Sequence, residues 1–203
     1  MHEQKHSRSY HRYFENYAEK QVETAGGGYS IERVYVGKYY KVDLSDQALR
    51  RQRILIFLLW LLGLGGYFAG ALLSKVSAVS VVAIATMPPL LVSIWLTIAV
   101  FHRLFAPREM EIRSYRDSSE SLILSAKVMT ACILLCFAVT LGGCLLVPGY
   151  SLPATLPPLL CYLTCLCATC MLRHIEKATH YKIMEPKHER PAESSPIRYE
   201  MPE

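Results

Sequence analysis

The chain has 203 residues, 52% of them hydrophobic, yet its mean hydropathy is only +0.20, so very apolar blocks alternate with very polar ones. Four uncharged runs, Ile54–Leu73, Ala78–Phe101, Val128–Val147 and Leu152–Leu172, hold 20, 24, 20 and 21 residues, each long enough to span a bilayer. With 85 of 203 residues in those runs and a net charge of only +5, the composition excludes a soluble enzyme with a sizeable core of its own, and nothing resembles an extended nucleic-acid-binding face.

Residues 1–28 are polar, carry His2, His6 and His11 among Lys, Arg, Glu and Tyr, and end in Gly26-Gly27-Gly28, so they read as a flexible tail. His2 and His6 would share a metal only on a helix, and a solvated tail is the plainer reading. Residues 29–53 differ. Val34, Val36, Tyr40, Val42 and Leu44 fall at even spacing, which predicts a short strand or hairpin. Ser45 or Asp46 can cap a helix that begins near Gln47 and runs through Arg53 into the first span. Seven of the thirteen tyrosines precede residue 41, which suits a surface at the headgroup level or against another protein.

The first span contains Gly63, Gly65, Gly66 and Gly70, and Gly66-x-x-x-Gly70 exposes backbone to a close neighbour. Gly63, Gly66 and Gly70 are therefore expected at a helix-packing surface, with a neighbour in this chain favoured over a second copy or another protein. In the second span, Pro88-Pro89 removes two amide donors and frees carbonyls near Ile84 and Ala85. A kink satisfied by neighbouring groups is favoured over a cation-coordinating break of the transporter kind. In the loop from His102 to Lys127, Pro107 can start a short helix through Arg108–Arg116, and Ser118 or Ser119 with Glu120 supplies a second helix start. Lys127 then lies inside the third helix, where its side chain can reach the inner headgroups.

All seven cysteines lie in the last two runs, which is no secreted disulfide framework. At 100° per residue, Cys132 and Cys136 share one helix face, as do Cys161 and Cys165, and a tight Pro148–Ser151 connection puts the two pairs at matching depth. Those four are the candidate ligands for a soft metal, set against the blander reading that cysteine here packs like Ala or Ser. Cys167-x-x-Cys170 has redox spacing, but it lies at the inner end and neither outer connection carries a cysteine to relay electrons. Pro153, Pro157 and Pro158 predict an irregular outer cap, with regular helix from Pro157.

Charge then sets the orientation. Arg50, Arg51 and Arg53 precede the first run; Arg103, Arg108, Arg113, Arg116 and Lys127 lie between the second and third; Arg173, Lys177 and Lys182 follow the fourth. Ser74–Ser77 carries only Lys75 and Pro148–Ser151 carries no charge, so the positive-inside bias assigns both termini and the middle loop to the cytoplasm. No cleavable signal peptide is apparent, which makes the first helix the expected targeting element.

The expectation is an all-α membrane protein of four transmembrane helices in two antiparallel hairpins, spans 54–73, 78–101, 128–147 and 152–172. A small cytoplasmic segment at 29–53 precedes them, and the cytoplasmic tail 173–203 is disordered after about 184. No Asp, Glu or His falls inside a span as drawn, and no phosphate-binding loop or metalloprotease motif occurs, so no catalytic residue or cofactor is assigned. The expected role is a non-catalytic multi-pass component of the cell membrane that binds other membrane or cytoplasmic proteins, or itself, through the cytoplasmic segment and the glycine-lined helix. The alternatives are a small-molecule or ion transport subunit using Pro88-Pro89, and a thiol- or metal-dependent redox protein.

Overall fold

The computed structural model describes residues 16–23, 29–74, 80–146 and 152–186. The N-terminal histidines, the Gly26–Gly28 joint, the two outer connections and the end of the tail lie outside the described residues.

In chain order the elements are β1 (Tyr17–Glu23), β2 (Tyr29–Tyr35), β3 (Tyr39–Val42), α1 (Asp46–Leu73), α2 (Ser80–Phe105), β4 (Glu109–Met110), α3 (Ile112–Tyr115), a π-helical turn (Arg116–Glu120), α4 (Ser121–Leu146), α5 (Leu152–Ala178) and β5 (Tyr181–Met184). Helices α1, α2, α4 and α5 are each long and apolar enough to cross a membrane. Their outward faces are apolar. Ile84 and Leu91 are each 70% exposed, a pattern that water penalises and hydrocarbon accommodates.

The inward faces form one core. On α1 the buried positions are Leu49, Ile56, Leu59, Gly63, Tyr67 and Gly70, the spacing of a single helical stripe. They meet Leu96 and Val100 of α2, Leu122, Met129 and Ile133 of α4, and Tyr162, Cys165 and Leu172 of α5. Helix α1 packs principally against α5, α5 against α4, and α4 against α2, with α2 closing the ring onto α1.

Local chemistry accounts for most helix boundaries. Ser45 is the N-cap of α1, its Oγ accepting from the Ala48 amide at 3.3 Å, and Asp46 adds a negative charge at the positive end of the helix. Helix α5 runs unbroken from Leu152, which corrects the irregular outer cap expected there. Pro153 falls in the first turn, where the amide has no helical partner to lose, and Pro157 and Pro158, a turn further in, each remove one helical bond.

The loop between α2 and α4 also departs from expectation. No helix starts at Pro107, because the backbone beyond it is engaged by β3: the Val42 amide donates to the Arg108 carbonyl at 3.1 Å, and Tyr40 and Lys41 pair with Met110 and Glu109. The helix begins instead at Ile112. Ser118 and Ser119 are not caps; both are buried in the π-helical turn, and Ser118 Oγ donates back to the Ser114 carbonyl at 2.6 Å.

Strand β3 is the centre of a three-stranded antiparallel sheet in the order β4-β3-β5. Segments ahead of the first long helix, between the second and third, and after the fourth thus meet at one end of the bundle. A second core seals the sheet to the helices, formed by Val42, Leu49, Ala106 and Met110 with Leu44, Tyr115 and Tyr181 against it. Strands β1 and β2 form a separate antiparallel hairpin, registering Tyr17 with Tyr35 and Glu23 with Tyr29. Residues 17–23 were expected to belong to the flexible tail; pairing with β2 orders them, a tertiary effect that overrides their weak strand pattern.

Candidate functional site

Four features of the sequence suggested function, and the structure places each of them. The glycines of α1 face α5 within the chain. A Cβ on Gly66 would lie 2.8 Å from the Cys161 carbonyl oxygen, one on Gly70 would lie 2.6 Å from the Tyr162 ring, and one on Gly63 would lie 3.4 Å from Ala168 Cβ. These glycines are a seam within the bundle, already filled by this chain's own fourth span. Gly65, with open space around its Cβ direction, points away from the seam.

The Pro88-Pro89 pair lies inside α2, and neighbours engage the backbone beside it. Cys136 of α4 donates its thiol to the Ala85 carbonyl, one turn before Pro89, at 3.1 Å. Tyr67 of α1 donates to the Thr86 carbonyl at 2.7 Å. The Tyr67–Thr86 bond is buried and the Cys136–Ala85 bond partly so.

Among the cysteines, Cys136 and Cys165 are buried beside Tyr67, Cys132 and Cys161 are half-buried, and Cys167 and Cys170 are exposed on α5. All are free thiols, and among the described residues no three His, Cys, Asp or Glu side chains are gathered so as to hold a metal. Lys127 is exposed on α4.

The polar centre of the structure is one that the sequence reading did not find. At the sheet end, Arg103 in the last turn of α2 and Glu176 near the end of α5 form an ion pair of 2.8 Å, Nε to Oε2, with side chains 1% and 0% exposed. The Tyr181 hydroxyl at the start of β5 donates to the other carboxylate oxygen. Burial first, then the neighbouring carboxylate, pushes the Tyr181 phenol well above its ordinary pKa. Nearby, Arg53 donates to the Ala106 carbonyl and Gln52 to the Thr179 hydroxyl, tying α1 to the ends of α2 and α5. Arg103 Nη1 and Nη2, Arg53 Nε and Gln52 Oε1 are buried with no partner among the described residues, so the cluster has more donor capacity than its one carboxylate takes up. Glu176 escaped because it follows Arg173, past the end of the uncharged run; the signal available was its position three residues after Arg173 and beside Lys177, on a face that can continue the helix inward.

Of the tyrosines ahead of residue 41, Tyr17, Tyr35, Tyr39 and Tyr40 join the parts of this end to one another. Tyr17, Tyr35 and Tyr39 meet edge to face at 5.2 and 5.1 Å, and Tyr40 stacks on Tyr115 at 4.5 Å, which meets Tyr181 at 4.9 Å. The hairpin docks through two of them. Tyr17 donates to the Glu111 carboxylate, and its phenol is pushed up to about 12, by burial first and then by that carboxylate. Tyr35 accepts from the Ile112 amide at 3.1 Å and donates to the Lys38 carbonyl at 3.0 Å.

What this end leaves outward is an edge strand. Strand β5 pairs with β3 on one side, and its Ile183 is 62% exposed beside Lys182. Comparison with protein-family models, curated proteins and solved structures finds no match for the chain, so the site rests on its geometry alone: four apolar helices closed at one end by a sheet over a buried ion pair, the architecture of a multi-pass membrane protein.

Proposed function

We propose that the chain is a non-catalytic multi-pass component of the cell membrane, built as two helical hairpins with both termini in the cytoplasm, and that it joins other proteins in a complex through its sheet end. The positive-inside bias supports the orientation, since every basic flank belongs to the end where the sheet forms.

The observation that carries the reading is the β5 edge. Three distant segments are drawn together to build the sheet, and its outer strand β5, paired with β3 on one side, exposes Ile183. An exposed apolar edge of this kind is a template for an added strand. The contacts of Gly66 and Gly70 with α5, and of the Ala85 and Thr86 carbonyls with Cys136 and Tyr67, support this reading over self-association through α1 or transport at the proline pair. The partner surface is therefore the sheet, and α1 contributes to it only by anchoring the sheet.

Photo-crosslinking from position 183 in intact cells tests the proposal, with position 160 on the lipid-facing side of α5 as the control. A discrete protein adduct from 183 and none from 160 supports it. No adduct from 183, or the same adducts from both, overturns it.

A further inference from the structure

A cleft of about 410 Å³ opens beside the sheet, between the end of α2 and the loop that follows it. Phe105, Ala106 and Pro107 form one wall, and the ionisable groups lining it are Tyr17, His102, Glu111, Arg113 and Asp117. Two carboxylates thus line it with one guanidinium and one imidazole; Arg113 pairs with Asp117 at 3.8 Å and Glu111 accepts from Tyr17, so a ligand here competes with both contacts. The cleft is made by the fold rather than by one element, since it takes residues from β1, α2, the β4–α3 link, α3 and the π-helical turn.

Its depth relative to the bilayer follows from length. Helix α2 has 26 residues, which at 1.5 Å each is about 39 Å against about 30 Å of hydrocarbon, so roughly six residues project beyond it. The uncharged run ends at Phe101, and His102 and Arg103 follow it, which argues that the last turn with Phe105 reaches headgroup depth on the sheet side. An aromatic stripe runs inward from there: Phe105, Phe101, Trp60 and Phe57 follow one another at centroid separations of 6.2, 5.6 and 5.6 Å, and Trp60 donates to Thr97, about 12 Å along α2 from Phe105. Phe105, at the mouth of the cleft, is 79% exposed. Rings collect at this depth because one side meets acyl chains and the other meets polar groups.

A concave site at headgroup depth, with both charge signs inside and an apolar ring at its mouth, matches one ligand chemistry. We infer that the cleft holds the headgroup of a zwitterionic phospholipid, its phosphate toward Arg113 and His102, its ammonium toward Glu111 and Asp117, and its acyl chains along Phe105. A purely anionic headgroup brings no cation for the two carboxylates and is disfavoured by them. The headgroup then bridges α2 and α3, bracing the sheet end against the membrane surface.

Native mass spectrometry of the full chain released from nanodiscs containing equal phosphatidylethanolamine and phosphatidylglycerol tests this. The wild type is expected to retain phosphatidylethanolamine several-fold over phosphatidylglycerol. Asp117→Asn and Arg113→Gln, both at exposed positions, are each expected to erase the preference with the melting midpoint unchanged. Equal retention of the two lipids, a preference for phosphatidylglycerol, or a preference that survives both substitutions overturns the assignment. Added O-phosphoethanolamine separates a lipid from a soluble ligand of the same chemistry. Retained lipid that resists it supports the lipid site, and displacement at micromolar concentration makes the soluble compound the occupant and overturns it.

Discussion

Replacing Gly66 with alanine puts a single methyl group into the tightest part of the bundle. The new Cβ would sit 2.8 Å from the Cys161 carbonyl oxygen and 3.2 Å from the Cys165 amide nitrogen, where ordinary contact starts at 3.4 Å. Both obstacles are α5 backbone, which no rotamer change can move, so α1 and α5 must separate locally by about 0.6 Å, the difference between those two distances. Overpacking of this kind costs about 1–3 kcal/mol. Alanine also raises helix propensity by about 1 kcal/mol, but Gly65→Ala gains the same amount while its Cβ meets nothing within 4 Å. The comparison of the two variants therefore isolates the seam. Thermal unfolding in mild detergent, followed by circular dichroism, is expected to place Gly66→Ala several degrees below Gly65→Ala, at about 2–4 °C per kcal/mol. Equal midpoints, or a lower midpoint for Gly65→Ala, would refute the claim that the glycine stripe is an internal seam.

Three further outcomes follow from the same structure. Glu176→Gln leaves the buried Arg103 guanidinium without its counter-charge and is expected to cost about 3–5 kcal/mol, against about 1.5–3 for Tyr181→Phe, so detergent melts that reverse this order would contradict the ion pair. Cys136→Ala strips the Ala85 carbonyl of its donor and is expected to cost about 1–3 kcal/mol; Cys136→Ser keeps a donor, and the two variants should differ in midpoint accordingly. For Tyr17 the folded value of about 12 exceeds the ordinary value of 10, so its contribution to hairpin docking is complete below pH 10 and is lost as pH rises toward 12. Absorbance titration at 295 nm should show several late ionisations, Tyr181 among them, and Tyr17→Phe should remove one; an unchanged titration curve would count against the Tyr17–Glu111 contact.

The membrane-spanning part was legible because its determinants are local. Uncharged runs set the helices, and Ser45 set the start of α1. The sheet end was not legible in the same way. Strand β3, Tyr39–Val42, falls in the stretch whose even spacing predicts a strand, but β4 and β5 hold 2 and 4 residues, too few for any periodicity, and are strands only because residues 40, 110 and 183 meet in space. Glu176 looked like one more charge on a basic flank because a hydropathy run ends where charges begin, whereas a helix ends where its hydrogen bonds do. Helix α5 continues to Ala178, past the run drawn to Leu172, and carries the carboxylate into the bundle. Tyr17 and Tyr35 were legible as interaction residues, but their partners, Glu111 and the Ile112 amide, are more than seventy positions away.

The central claim is that three separate segments share one sheet, and hence one side of the membrane, and that this side is the cytoplasm. Single cysteines placed at Lys38, Pro107 and Glu185 in a background lacking the seven native ones, probed in intact cells with a membrane-impermeant maleimide, test it directly. All three positions should stay unlabelled until the membrane is permeabilised and then react together. Labelling of any one of them from outside, while the others remain protected, would contradict the shared sheet, and labelling of all three from outside would reverse the orientation.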